Sequence, residues 1–296
     1  MDVFAQLVVS GILVGGVYAL VAMGFIITYR SAGVFNIAYG EFAVLGAFIG
    51  WTFMGSPSDP RLPAPIAIGL TILAAVVFGL LLERFLFRRM TDKPLVAAFF
   101  VSLGFLALLQ GVIMLVWGPE VRVLDKVVPA GQLDVGGVII STEFLWSFIL
   151  AVIISVAFFL FLRRTRLGLA MKAAYDNRTA ARCLGVNSKL ISQIAWVICC
   201  VIATIGGLLT AVTTGVSTSL SSLVMTALAV ALIGGMDSLP GAIIGGLVLA
   251  VGTNLVSYYL SSYLPGIEAV FNMMLILIVL MIRPTGIMGS RVIERV

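Results

Sequence analysis

Charge is confined to a few short stretches of this chain, and the intervals between them are long. Residues 3–29, 62–82, 95–119, 144–162, 190–236 and 238–267 contain no Asp, Glu, Lys or Arg. A bilayer core takes about 20 apolar residues per helix, and these intervals are of that order or longer. The 190–236 interval is long enough for two passes joined by a tight turn. Residues 31–58 carry only Glu41, and 269–282 extends the last interval past Glu268. A transmembrane barrel would show short segments of alternating polarity, whereas these runs are continuous. The chain is therefore expected to be all-α, a polytopic membrane helix bundle of eight or nine segments forming one domain over residues 1–296. It shows no tandem repeat and no low-complexity tract.

Composition closes off other classes. With 10% charged residues and a mean hydropathy of +1.19, the chain lacks the polar surface that a soluble domain of 296 residues requires. There is no histidine, which removes Ser-His-Asp and Cys-His catalysis, histidine metal ligation and histidine proton relays. Cys183, Cys199 and Cys200 offer no disulfide framework. The adjacent pair reads as small apolar filling. A net charge of +5 without a basic, aromatic-rich surface segment gives no footprint for nucleic acid.

Basic residues give an orientation. Before the first interval lie only Met1 and Asp2, so residues 3–29 are expected to be a retained helix and not a signal peptide. If crossings alternate, one side receives Arg30, the Arg84–Lys93 group, seven bases within 163–189, and Arg283, Arg291 and Arg295. The other side receives Arg61, Arg122 and Lys126. Cytoplasmic loops carry the excess of Lys and Arg. The N-terminus is thus expected outside, and the C-terminus and the 163–189 loop in the cytoplasm. The outer stretch 118–142 reads as a small cap or a solvated connection.

Three places interrupt the apolar background. Asn36, Tyr39 and Glu41 fall within GVFNIAYGEF. An ionisable group at membrane depth faces a cavity or the bundle interior, while one near an interface is simply solvated; both readings are open for Glu41. LIGGMDSLPGAIIGG concentrates Gly234, Gly235, Asp237, Pro240 and Gly241 between two apolar arms. That is a helix break, read either as a tight cytoplasmic hairpin or as a broken helix lining a pathway. Asn254 and Asn272 add isolated amides inside apolar runs. The pairs Gly11/Gly15, Gly46/Gly50 and Gly241/Gly245 have the spacing for close helix packing.

The third interruption is the charged loop, RRTRLGLAMKAAYDNRTAARCLGVNSK. Leu167, Ala170, Met171, Ala174, Ala181 and Leu184 recur at helical spacing, which predicts one amphipathic helix with Gly185 and Asn187 at its C-terminal cap. The helix could lie on anionic lipid. Its small face (Ala173, Ala174, Ala180 and Ala181) instead suits close approach to a cytoplasmic protein.

These stretches resemble the LivH-type permeases of branched-chain amino acid ABC transporters over essentially the whole chain. The matching segments are GVFNIAYGEFAVLGAF, RLGLAMKAAYDNRTAARCLGVN, ALIGGMDSLPGAIIGGLVLA and LMIRPTGIMG. Urea and short-chain amide permeases look similar in the same places. The resemblance implies a multi-pass protein of a bacterial inner membrane that works with a second homologous permease, two cytoplasmic ATPase subunits and a periplasmic or extracellular binding protein. No G-x-x-x-x-G-K-[ST] loop exists here, so ATP would be bound by the partners, with no cofactor of the chain's own. Residues 166–186 are then expected to couple to the ATPase through Ala173, Ala174, Asp176, Arg178 and Gly185. Substrate is expected to pass Asn36, Tyr39, Glu41, Asn254 and Asn272. An ion-coupled secondary transporter is the rival of another class, with Glu41 as its candidate carboxylate. A channel would leave the basic loop unexplained, and an enzyme would lack clustered catalytic groups.

Overall fold

The computed structural model describes residues 3–32, 36–90, 94–124, 131–135, 138–176 and 178–289. Lys93, Asp125, Lys126, Arg291 and Arg295 lie outside them. The helices are α1 (Val3–Ala32), α2 (Tyr39–Met54), α3 (Ala64–Phe85), α4 (Leu95–Trp117), α5 (Thr142–Arg164), α6 (Arg166–Asp176), α7 (Arg178–Cys183), α8 (Ser188–Thr214), α9 (Leu223–Gly234), α10 (Leu239–Leu260) and α11 (Ile267–Ile282). Six of them are long and apolar enough to cross a membrane, so this is an all-α, multi-pass membrane architecture. Two short hairpins accompany them, β1 (Gly55–Ser56) with β2 (Asp59–Pro60) and β3 (Gln132–Val135) with β4 (Val138–Ser141).

Most apolar intervals map onto single helices, and two differ from expectation. The first helix continues past Arg30 to Ala32. The 190–236 interval is divided unequally: α8 takes 27 residues, and a 3-10 helix at Thr218–Ser222 precedes a 12-residue α9. At 1.5 Å per residue, α9 spans only about 18 Å. The stretch 118–142 contains the β3–β4 hairpin, tied to the start of α1 by the Gln6 amide, which donates to Ile139 O and accepts from Ile139 N.

The chain divides into two compact units. One contains residues 27–127 and 156–224, with α2, α3 and α8 at its centre. Close approach here depends on glycine. A Cβ on Gly46 would collide with Thr204, one on Gly207 with the Ala43 carbonyl, and one on Gly79 would lie 2.8 Å from Val197 Cα. Helix α4 joins through aromatic contacts, Phe105 edge-on to Phe42 at 6.3 Å and stacked on Phe78 at 6.4 Å. The Trp117 Nε1–H donates to Thr52 Oγ1 at 2.8 Å.

The other unit contains residues 1–26, 128–155 and 225–296. Gly11 meets Val251 on α10, and Gly15 and Gly246 face one another across the α1–α10 crossing. Gly245 packs on the Val230 carbonyl of α9. All three glycine pairs read from the sequence thus sit at helix crossings.

Candidate functional site

The polar groups of residues 36–41 are gathered at the start of α2 and are buried. Asn36, Tyr39 and Glu41 are 2%, 0% and 1% exposed, so the solvated reading of Glu41 does not hold within this chain. Glu41 lies in the first turn of α2, where the positive end of the helix dipole favours an acid. Ser221, on the 3-10 helix before α9, donates its hydroxyl to Glu41 Oε1 at 2.7 Å. A side chain at Gly40 would collide with the Ser221 carbonyl, so the two segments touch backbone to backbone. The Asn36 Oδ1 accepts the Ala38 N–H at 3.0 Å, and its Nδ2 is buried without a hydrogen-bond partner among the described residues. Carboxylate, carboxamide and hydroxyl together offer acceptors for an ammonium and a donor for a carboxylate. Ser221 was not visible in the sequence as part of this group, because 180 residues separate it from Glu41.

Asn254 and Asn272 belong to the other unit and do different work. The Asn254 amide donates to Ser10 Oγ on α1 at 3.2 Å. Asn272 Oδ1 on α11 accepts from Thr253 Oγ1 on α10 at 2.7 Å. One turn further on, Ser257 donates to Glu268 Oε1 at 2.8 Å. The three bonds tie α10 to both neighbours, the way polar side chains join helices in lipid. An open cavity of about 520 Å³ adjoins them, lined by Ser10, Phe144, Asn254, Ser257, Tyr258 and other residues.

The charged loop is helical over α6 and α7, the two described stretches on either side of residue 177. Asn177 itself lies outside the described residues. Thr165 opens α6 by accepting the Gly168 N–H at 3.1 Å, and a side chain at Gly168 would collide with Leu162 at the end of α5. Gly185 ends α7 at φ +84°, with the Val186 N–H reaching back to Ala181 O and the Gly185 N–H to Arg182 O. Asn187 does not close α7; it caps α8, accepting from the Lys189 and Leu190 N–H groups.

The loop is seated on its own unit. Met171, Ala174 and Ala181 are buried, so part of the small face turns inward. The Arg30 guanidinium lies 4.8 Å from the centre of the Tyr175 ring. Lys172, Asp176, Ala180 and Gly185 are exposed, and Ala173 is half-buried. Leu169 on α6 and Leu184 in the turn after α7 are exposed at 68% and 83%.

At the helix break, α9 ends at Gly234 and α10 begins at Leu239. Ser238 caps α10 through the Gly241 N–H at 3.0 Å, and Pro240 occupies the first turn, where its missing N–H costs nothing. Side chains at Gly234 and Gly241 would each collide with the other's carbonyl. Gly235 has φ +108°, and Asp237 is half-buried. The tail after α11 completes the turn. The Ile287 N–H donates to Ile233 O at 2.8 Å and the Met288 N–H to Gly234 O at 3.0 Å, satisfying carbonyls that a helix end leaves open. Gly286, at φ +80°, lies directly on Gly235. That contact explains the glycine of the RPTG segment, and nothing in local sequence pattern discloses it.

Comparison with known proteins follows the same outline. A family described as branched-chain amino acid transport system, permease component, matches residues 7–282. The high-affinity branched-chain amino acid transport system permease protein BraD of Pseudomonas aeruginosa is 28% identical over 305 aligned residues, covering 99% of this chain and 98% of that protein. LivH of Salmonella typhimurium, a protein of the same description, is 30% identical over 309, with 99% and 98% covered. The probable LivH of Methanocaldococcus jannaschii is 24% identical over 307, with 97% and 94% covered. Among solved structures, PsaBC from Streptococcus pneumoniae in complex with Fab superimposes with a TM-score of 0.52 over 96% of this chain and 94% of that one. At 14% identity it is a likeness of fold alone.

Proposed function

Because the chain belongs to the family of permease components of branched-chain amino acid transport systems, and so is a transport subunit and not an enzyme, we propose that it is the membrane-spanning permease of an ATP-driven importer for those amino acids. The observation that carries this reading is the family match over residues 7–282. In the proposal the chain acts as one permease domain of nine segments, α1 to α5 and α8 to α11, in a bacterial inner membrane. A second homologous permease stands beside it, two ATPase subunits bind in the cytoplasm, and an external binding protein delivers substrate. The N-terminus is outside and the C-terminus inside. Two contacts support that alternation: Arg61 and Arg122, both assigned outside, lie over the same Trp51 ring, and Arg30 and Tyr175, both assigned inside, meet each other.

Residues 163–189 form the coupling loop of this proposal. Ala173, Asp176, Arg178 and Gly185 meet the ATPase together with the exposed Leu169 and Leu184. Ala174 sits behind them and holds α6 on the bundle. Substrate passes Asn36, Tyr39 and Glu41, with Asn254 and Asn272 supporting the wall contributed by α10 and α11. The break at Gly234, Gly235, Asp237, Pro240 and Gly241 is a cytoplasmic hairpin held by the tail. The test is reconstitution with the partner subunits in liposomes, following ATP hydrolysis and labelled leucine. Binding-protein-stimulated hydrolysis with leucine accumulation is expected. Stimulated hydrolysis with urea accumulation instead of leucine would overturn the substrate. Uptake that persists without ATP and follows an ion gradient would overturn the class.

A further inference from the structure

The buried face of α3 is a single stripe with one residue out of character. Ala67, Thr71, Ala75, Gly79, Glu83 and then Phe87 recur every fourth residue, and all are buried. The first four are small and let α8 approach; the Thr71 hydroxyl is taken by its own helix, donating to Ala67 O at 2.7 Å. Gly79 rests on Val197 and the Trp196 carbonyl. Two turns on, the Phe87 ring stacks on the Trp196 indole at 3.9 Å and 17°. Glu83 is bracketed between these two contacts with α8.

Glu83 is 1% exposed, and its pairing is incomplete. Its Oε1 is 3.5 Å from the Nε of Arg88, whose side chain is 38% exposed. Its Oε2 is buried with no hydrogen-bond partner among the described residues, and so is the Nε1–H of Trp196. A strong acceptor and a strong donor therefore lie unpaired among the described residues on two packed helices, Glu83 one turn before the Phe87 that stacks on Trp196. Buried polar groups are rarely left so, and a helix pair with two arrangements gives a reason: the pair is made in the other one. Helix α8 is also the one on which α6 and α7 rest, and it starts directly after the loop at its Asn187 cap.

We propose that Glu83 and Trp196 are positioning residues of the transport cycle: movement of α8 along the small stripe of α3 brings the Trp196 Nε1–H onto Glu83 Oε2 and steadies the moved state. This rests on the reading of α6 and α7 as the ATPase contact. Glu83→Gln keeps the volume and removes the carboxylate; Trp196→Phe keeps the stack on Phe87 and removes only the donor. In the full reconstituted transporter, the quantity to follow is leucine accumulated per ATP hydrolysed, with the melting temperature of the complex measured alongside. Each single variant is expected to lower the ratio about fivefold or more with little change in melting temperature. The double variant is expected to fall within about twofold of the lower single one, because both changes remove one interaction. A melting temperature lowered without a change in ratio would make the pair merely structural and overturn the proposal. Effects that multiply in the double variant would overturn it as well. If Glu83→Gln fails to assemble, Trp196→Phe decides alone: an unchanged ratio overturns the proposal. A wild-type complex whose hydrolysis is not coupled to uptake would instead sink the importer reading and this inference with it.

Discussion

Helices α4 and α8 are close in length and nearly equal in hydropathy, yet the protein treats them as opposites. In the most apolar window of α8, 67% of residues are buried inside the chain; in that of α4 the figure is 17%. The difference lies in small residues. Gly207 and Thr204 on α8 pack against Ala43 and Gly46 on α2, and Val197 packs against Gly79 on α3. On α4, Gly104 and Gly111 have no atom of the described residues within reach of an added Cβ. In lipid no hydrophobic force separates a buried leucine from an exposed one. What selects a central helix is close van der Waals fit, which shape decides and hydropathy does not.

The same substitution should therefore give opposite results on the two helices. Gly207→Leu drives a side chain into the Ala43 carbonyl and is expected to cost about 3 kcal/mol or more, seen as loss of monodisperse protein after extraction. Gly111→Leu should stay within about 0.5 kcal/mol. Equal losses would break the comparison.

Ser221→Ala comes next. It leaves the Glu41 carboxylate buried without its 2.7 Å donor, an expected cost of about 1–3 kcal/mol, read as a lowered melting temperature. No change in that temperature would mean that burial on this central face does not depend on polar pairing. Asn272→Ala, on the less buried α11, removes one interhelical bond and should cost only about 0.6 kcal/mol. A loss as large as that of Ser221→Ala would erase the distinction between central and peripheral helices. Smallest and opposite in sign is Gly104→Ala on α4, which should stabilise by about 0.5–1 kcal/mol. Destabilisation there would show that α4 is covered by protein and not by lipid.

Legibility in the sequence followed the same divide. The interval 62–82 became α3 over Ala64–Phe85 and 144–162 became α5 over Thr142–Arg164, because charges bound each apolar run within a turn of the helix ends wherever the rest of the chain lies. Gly11 and Gly15 were readable as packing residues, since small-residue spacing is a local signal. Glu83 escaped notice: with Arg84 and Arg88 beside it it reads as one more interfacial charge, and only the packing of α8 buries it. Ser221 and the tail glycine Gly286 escaped for a related reason, their partners being far away in the chain. The loop showed its helical period, but which way Ala174 faces depends on the bundle beneath it.

Sequence alone placed most apolar spans to within a few residues, though not how 190–236 divides, and it showed a membrane bundle with no catalytic histidine and the family to which it belongs. Those properties follow from local composition and from ordered motifs, and no other part of the chain can alter them. Tertiary structure alone decided which apolar helix is central, which buried polar groups are paired, and that residues 286–288 close the end of α9. Each of these is a match of shape or hydrogen bonding between distant segments. Lipid and protein are nearly equivalent surroundings for an apolar side chain, so hydropathy carries no record of that choice.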